Sequence, residues 1–233
     1  MPDLENKYDI DVIYEDNHML VINKKPSQIV QGDKTGDTPL TELIKDYLKE
    51  KYNKPGNVYL GLIHRIDRPT SGLVVFAKTD KAGIRLSRIF KERELTKTYW
   101  AVVQNLPPDN EGVLHHFLKK NEQQNKSYVV NERVIGAKKA ELRYTFKASS
   151  DRYHLVDIEL ITGRHHQIRC QLAHVGCPIK GDVKYGFDRA NKDLSIHLHA
   201  RSIHIIHPVK KTPLQLIAHP PKDPIWDYFS EIL

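Results

Sequence analysis

Two apolar runs, Val58-Tyr59-Leu60 and Leu73-Val74-Val75-Phe76-Ala77, enclose the polar stretch His64-Arg65-Ile66-Asp67-Arg68-Pro69-Thr70-Ser71-Gly72. Short apolar runs bounded by turn residues read as buried strands. The stretch between them is therefore expected to be a connection at strand ends, punctuated as a turn by its Pro and Gly. It gathers one carboxylate, two guanidiniums, an imidazole and two hydroxyls. Arg65 and Arg68 flank Asp67, and opposite charge favours the ionised form of a carboxylate. Two readings are open at this level. Asp67 can order its own loop by bonding nearby N–H groups and pairing with an Arg. An ionised, positioned carboxylate can also act as a nucleophile or base, for instance at an anomeric carbon that acquires oxocarbenium character.

The remaining chain supplies a scaffold for that connection. Val12-Ile13-Tyr14 and Met19-Leu20-Val21-Ile22, separated by Glu15-Asp16-Asn17-His18, form a candidate hairpin. From Thr38, a cap candidate, with Pro39 at the first helical position, Leu40, Leu43, Ile44, Tyr47 and Leu48 recur at one-face helical spacing. A second helix is predicted from Thr79 or Asp80, with Ala82, Leu86, Ile89 and Phe90 inward. Residues 94–103 read as a strand, 119–127 as a polar loop between two short strands, and 140–146 and 154–161 as antiparallel strands. Ile168, Leu172 and Val175 share a helical face that Gly176 and Pro178 terminate. Residues 214–218 read as a further strand, and Trp226, Tyr228 and Phe229 anchor a short C-terminal helix.

Charge and cysteine usage narrow the classes. With 36 Lys and Arg against 29 Asp and Glu, the 233-residue chain carries a formal charge of +7, which suits a polyanionic partner, nucleic acid before membrane. The first nine residues are acidic and polar, unlike a signal peptide, and no apolar run approaches the ~20 residues of a membrane span. Two cysteines without a Cys-x-x-Cys pair give no disulfide framework, so a reducing, cytoplasmic setting is expected. The thirteen histidines raise a metal reading, with Cys170, His174 and Cys177 close in sequence and His197 and His199 alternating on one strand. A zinc site with open coordination needs three converging ligands, and the helical pattern already accounts for Cys170 and His174, so no metal is expected.

The stretch HRIDRPTSGLVVFAKT closely resembles the central motif of the RluA-type RNA pseudouridine synthases, HRLD followed by a basic residue and TSG. Ile66 for Leu is the one departure in its core. YEDNHMLVINKKP resembles the first block of the same family. Thr162-Gly163-Arg164-His165-His166-Gln167-Ile168-Arg169, running on to Gly181-Asp182 and Tyr185-Gly186, resembles a later one, with Gln171 where His is usual. Leu198-His199-Ala200 through His207-Pro208 resembles the last.

The resemblance implies an α+β pseudouridine synthase fold: a mixed, mostly antiparallel sheet, flanking helices and a central cleft. It implies one catalytic domain over 1–233, with too few residues ahead of it for an S4-type RNA-binding domain. It places the nucleophile on Asp67, uracil contact and a proposed base for the C5 proton on Tyr99, and the cation paired with the nucleophile on Arg169, Arg164 being the other candidate for that pairing. Arg65, Arg68, Thr70, Arg164, Gln167 and Leu198 are expected around the substrate. No cofactor is implied, and the partner is RNA, ribosomal or transfer, met by a monomer. Other classes stay in view: a non-catalytic RNA-binding protein, or a metal-dependent hydrolase.

Overall fold

A computed structural model describes residues 3–233. In chain order the elements are α1 (Asp3–Lys7), β1 (Val12–Glu15), β2 (Met19–Lys24), α2 (Leu40–Lys51), β3 (Gly61–Leu62), β4 (Ser71–Ala77), α3 (Asp80–Glu92), β5 (Leu95–Val103), β6 (Glu111–Asn121), β7 (Lys126–Val130), β8 (Lys138–Ser149), β9 (His154–Leu160), α4 (Gln167–His174), β10 (Leu198–Ile206), β11 (Pro213–Ile217) and α5 (Pro224–Glu231). The fold is α+β, as the sequence implies. The chain forms two compact units, Met1–Thr96 with Ala200–Pro220, and Lys97–His199 with Pro221–Leu233.

The first unit orders its strands β1-β2-β4-β10, with β3 added to β4 and β11 to β10. Side chains alternate across a strand, and both faces are covered here. Met19, Val21, Leu73, Val75 and Ala77 pack with Ala82, Leu86 and Ile89 of α3. Leu20, Ile22, Val74 and Phe76 pack with Leu40, Ile44, Tyr47 and Leu48 of α2. Burial on both faces is why β2 and β4 read as unbroken apolar runs rather than as alternating ones. Thr79 caps α3 by accepting the Ala82 N–H at 3.3 Å. α2 starts one residue later than its spacing predicts. Pro39 is its N-cap, with extended backbone (φ −75°, ψ 152°), and Thr38 lies outside it.

Two expectations are corrected in this unit. Val58-Tyr59-Leu60 is not a strand, and only Gly61 and Leu62 pair, with Ala77 and Phe76. The Tyr59 hydroxyl comes so close to Gly61 of β3 and Gly83 of α3 that a Cβ at either would lie 2.8 Å from it, so the side chain packs on these two glycines. Gly72 does not end a turn. It lies inside β4 at φ +111°, where a Cβ would sit 2.4 Å from the Ala200 carbonyl oxygen of β10. Both the conformation and the close approach require glycine there.

The second unit orders its strands β5-β9-β8-β6-β7, every pair antiparallel. β8 shows the half-buried alternation the sequence predicts, with Ala140, Leu142 and Tyr144 inward. The polar stretch 119–127 is mostly strand. Lys119, Lys120 and Asn121 pair with Tyr128, Ser127 and Lys126, because an exposed hairpin needs no apolar residues to hold its ladder. α4 packs through Cys170 on Leu118 and Ala140. α5 packs through Trp226 and Phe229 on Val102 and Leu155, with Tyr228 exposed. No helix among the described residues is long and apolar enough to cross a membrane.

Candidate active site

The central stretch takes its place from β3 and β4. Where β3 stops pairing at Phe76, the imidazole of His64 takes the next strand N–H: Val75 N–H donates to His64 Nε2 at 3.1 Å. That bond puts the ring proton on Nδ1, and the ring stacks on Phe90 at a centroid distance of 4.7 Å. The chain then turns, Thr70 N–H donating to the Asp67 carbonyl at 3.0 Å. Asp67 is half-buried, Arg65 and Arg68 are exposed, and Thr70 is buried. The flanking guanidiniums reach outward, Arg68 to the Asp37 carboxylate and Arg65 to the Gln31 side-chain oxygen at 3.5 Å. The Thr70 hydroxyl is buried with no hydrogen-bond partner among the described residues.

The block 162–186 is built differently. Gln167 binds the turn that precedes α4: its side-chain oxygen accepts from the Thr162 hydroxyl at 2.7 Å and from Arg164 N–H at 3.0 Å, and its amide donates to the Glu141 carbonyl at 3.0 Å. Its amide therefore holds the loop, a role that its motif position alone does not disclose. Arg164 is half-exposed and donates through Nε to the Lys139 carbonyl at 2.8 Å.

Arg169 is buried on α4 and forks onto Asp182, with Nε to Oδ2 at 2.7 Å and Nη2 to Oδ1 at 2.8 Å. A guanidinium matches a carboxylate in this bidentate way, and the pair fixes its plane. Below that plane lies the Tyr185 ring, 5.1 Å from the guanidinium carbon. The Tyr185 hydroxyl accepts from Ser127 N–H at 2.8 Å and lies 3.0 Å from His166 Nδ1. Burial, and then the Arg169 charge beside it, hold His166 far below the usual imidazole range, so it stays neutral. Asp182 and Tyr185 are thus the partners of Arg169 that sequence reasoning missed. The signal was present in the Gly181-Asp182 and Tyr185-Gly186 pairs of the same block.

Tyr99 is buried on β5, paired with Ile158 of β9, and Leu198 is buried at the start of β10. Gln171 is buried, and its amide donates to the Leu114 carbonyl and contacts His116 Nδ1, both at 3.0 Å, bracing α4 against β6. The histidines and cysteines of the metal reading have separate neighbours. His197 bonds Asp223 at 3.0 Å and stacks on Trp226, and His199 meets the edge of the same ring. Cys170 donates to the Ser127 carbonyl, Cys177 contacts the Leu106 carbonyl, and His174 packs on His116. Among the described residues no three His, Cys, Asp or Glu side chains converge as a ligand set.

Comparison with known proteins bears on what these clusters are for. The family model described as RNA pseudouridylate synthase matches residues 18–174, which include the Asp67 turn and α4. A ribosomal large subunit pseudouridine synthase C from Buchnera aphidicola subsp. Acyrthosiphon pisum is 34% identical over 204 residues, 84% of this chain and 63% of that protein. The protein of the same name from Rickettsia typhi is 31% identical, over 90% of this chain and 68% of its own. A tRNA pseudouridine synthase C from Vibrio parahaemolyticus is 30% identical, over 90% of both. The chain thus spans about two thirds of the length of the first two. Among solved structures, human RNA pseudouridylate synthase domain containing 4 superposes with a TM-score of 0.77, at 24% identity, over 95% of this chain and 92% of its own. With the matched segment covering more than half of its residues, this chain belongs to the RNA pseudouridylate synthase family.

Proposed function

We propose that the protein isomerises specific uridines of a structured RNA to pseudouridine, with Asp67 as nucleophile. The observation that carries this reading is the family match through residues 18–174, which takes in the Asp67 turn. In the reaction the bond from uracil N1 to C1′ breaks and one from C5 to C1′ forms, with the C5 proton lost and N1 protonated. Asp67 acts at C1′, or in a glycal route by removal of a 2′ proton. Tyr99 is the base for the C5 proton, and Arg169 is the cation that keeps the nucleophile ionised and aimed. The burial of Arg169 and its fixed plane favour it over half-exposed Arg164 for that task. Arg65, Arg68, Arg164 and Thr70 meet the RNA, Leu198 closes on the base, and Gln167 acts through the loop that it holds.

Uracil is both leaving group and returning nucleophile, so the chemistry calls for no metal or organic cofactor. On this reading both units serve one catalytic domain, acting as a cytoplasmic monomer. A uridine within a duplex is out of reach, and extruding it costs least in loops and bulges. The RNA is ribosomal on the names of most similar relatives. Transfer RNA is the second reading, favoured by the relative matched along 90% of both chains.

The test is to map pseudouridines by carbodiimide modification and primer extension in total RNA from a strain lacking the protein, then from that strain carrying wild type, Asp67→Ala or Asp67→Asn. A site that vanishes, and returns with wild type alone, identifies both substrate and nucleophile. An unchanged map across ribosomal and transfer RNA overturns the substrate class, and a return with either variant overturns the nucleophile. A wild-type protein that binds the RNA yet forms no pseudouridine is a binding protein instead.

A further inference from the structure

The chain leaves β7 at Val130, opposite Phe117 of β6, and enters β8 at Lys138, opposite Leu118. β7 and β8 lie on the two edges of β6, so residues 131–137 must climb over that strand to join them. Two turns carry the crossing. Asn131 opens the first, its side-chain oxygen accepting Arg133 N–H at 3.0 Å and its carbonyl accepting Val134 N–H at 3.1 Å. The second runs from Val134 to Ala137, whose N–H donates to the Val134 carbonyl at 2.9 Å, and Gly136 holds φ +84° at its third position. That is a type II turn, which needs positive φ there and so takes glycine.

Ile135 stands at the second position of that turn, 91% exposed. The next most exposed large apolar side chain among the described residues, Leu194, is 73% exposed. Single apolar side chains at a surface are ordinary. This one is lifted off the sheet on hydrogen-bonded backbone, and its β-branched side chain is stiff at χ1. It therefore has little freedom left to lose when something covers it. Its surroundings are basic. Residues 131–139 hold Arg133, Lys138 and Lys139 against Glu132 alone, and Glu141 pairs with Lys139 at 3.2 Å. The Lys139 carbonyl accepts from Arg164 Nε at 2.8 Å. The foot of the crossing is thus tied to Arg164, one of the cations proposed to meet RNA.

We propose that Ile135 is a wedge: it enters the RNA substrate between two stacked bases and parts them, while Arg133, Lys138 and Arg164 hold phosphates around it. The proposal rests on the reading of the chain as an enzyme that acts on RNA. An apolar side chain inserted at a base step unstacks it, and the contacts of the opened strand offset the cost. RNA loops, whose bases splay out most easily, suit such an entry. Cations on both sides of an apolar tip match a nucleic acid, in which base faces lie beside an anionic backbone.

The experiment uses an RNA fragment that wild type modifies, with 2-aminopurine replacing one purine at a time around the target uridine, because this base brightens when it unstacks. It compares wild type, Ile135→Ala, Ile135→Leu, Lys138→Ala and Asp67→Asn for fluorescence on binding, for affinity from low to high salt, and for thermal unfolding. Wild type, Ile135→Leu and Asp67→Asn are expected to brighten one labelled position. Ile135→Ala is expected to unfold with wild type, to lose most of that signal and to bind about tenfold more weakly with an unchanged salt slope. Lys138→Ala is expected to keep the signal and to lose about one phosphate contact from the slope. An Ile135→Ala chain with wild-type signal and affinity overturns the proposal and leaves the tip to a protein or lipid partner. So does a loss that follows the salt slope, a wild-type protein that brightens no position, or an Ile135→Ala chain that unfolds well below wild type. A wild type that modifies no RNA overturns the reading beneath the proposal, whereas full modification of the fragment beside an indifferent Ile135→Ala overturns the wedge alone.

Discussion

The Asp67 turn and the Arg169 cluster both gather charge, and they hold it in opposite ways. In the turn the main chain is fixed and the two arginine side chains are left toward the surface. Carbonyls of Asp67 and Arg68 are bonded, while Arg65 and Arg68 are exposed and the buried Thr70 hydroxyl has no partner among the described residues. In the cluster the side chains bind one another: Arg169 forks onto Asp182, lies on Tyr185, and Tyr185 reaches Ser127 and His166. A turn of the first kind presents groups to something outside the protein. A network of the second kind fixes one group rigidly, since each member is satisfied only while the others stay.

The sharpest way to break this comparison is to remove Arg169. Arg169→Ala strands the Asp182 carboxylate, whose side chain is 1% exposed, and breaking a buried pair from one side costs about 3–5 kcal/mol. Thermal or urea unfolding should show that loss, and turnover should collapse with it. Arg169→Lys, which keeps the charge and loses the fork, separates the two effects by recovering stability more than rate. If Arg169→Ala is as stable as wild type, the cluster is not the rigid support described.

Arg164 belongs to the same block yet should behave like a residue of the turn. It is half-exposed, and its one described side-chain bond is to the Lys139 carbonyl. Arg164→Ala is expected to alter stability by less than about 1 kcal/mol, to leave turnover at saturating RNA within about threefold, and to reduce the salt dependence of RNA binding by about one phosphate contact. A salt titration of RNA affinity checks this. Loss of turnover at saturating RNA, with binding unchanged, would exchange the roles given to Arg164 and Arg169.

Local signals were legible in the sequence and distant ones were not. β2, β4 and α3 follow from apolar runs and helical spacing, each contained within its own short segment. Gly72 read as turn punctuation because its reason, the backbone of Ala200, comes from another part of the chain. Lys24 sits in a Lys24-Lys25 pair at a strand end, where residue type does not tell the two apart. One is buried and the other exposed, and nothing nearby in sequence marks the carbonyl of Arg68 as a partner. Asp67 stood out through its setting between two arginines, although those arginines reach Asp37 and Gln31. The convergence of Arg169, Asp182 and Tyr185 needed the fold, because a 13-residue separation on an irregular path has no periodicity to betray it.

The smallest expected effect tests the turn from within. A hydroxyl buried without a hydrogen bond costs about 1–3 kcal/mol, and the Thr70 hydroxyl bears that cost beside the proposed nucleophile. If it waits for RNA, then replacing it with a methyl group of nearly the same shape removes the penalty in the free protein and a bond in the complex. Thr70→Val is therefore expected to unfold at the same temperature as wild type or slightly higher, a gain of up to about 1 kcal/mol, while kcat/KM falls several-fold. The pairing of outcomes is what discriminates. A stability loss of about 1 kcal/mol or more would mean that the hydroxyl already spends its bond inside the folded chain. An unchanged kcat/KM would mean that RNA never uses it, and the turn would then present its charges to the substrate without this neutral donor.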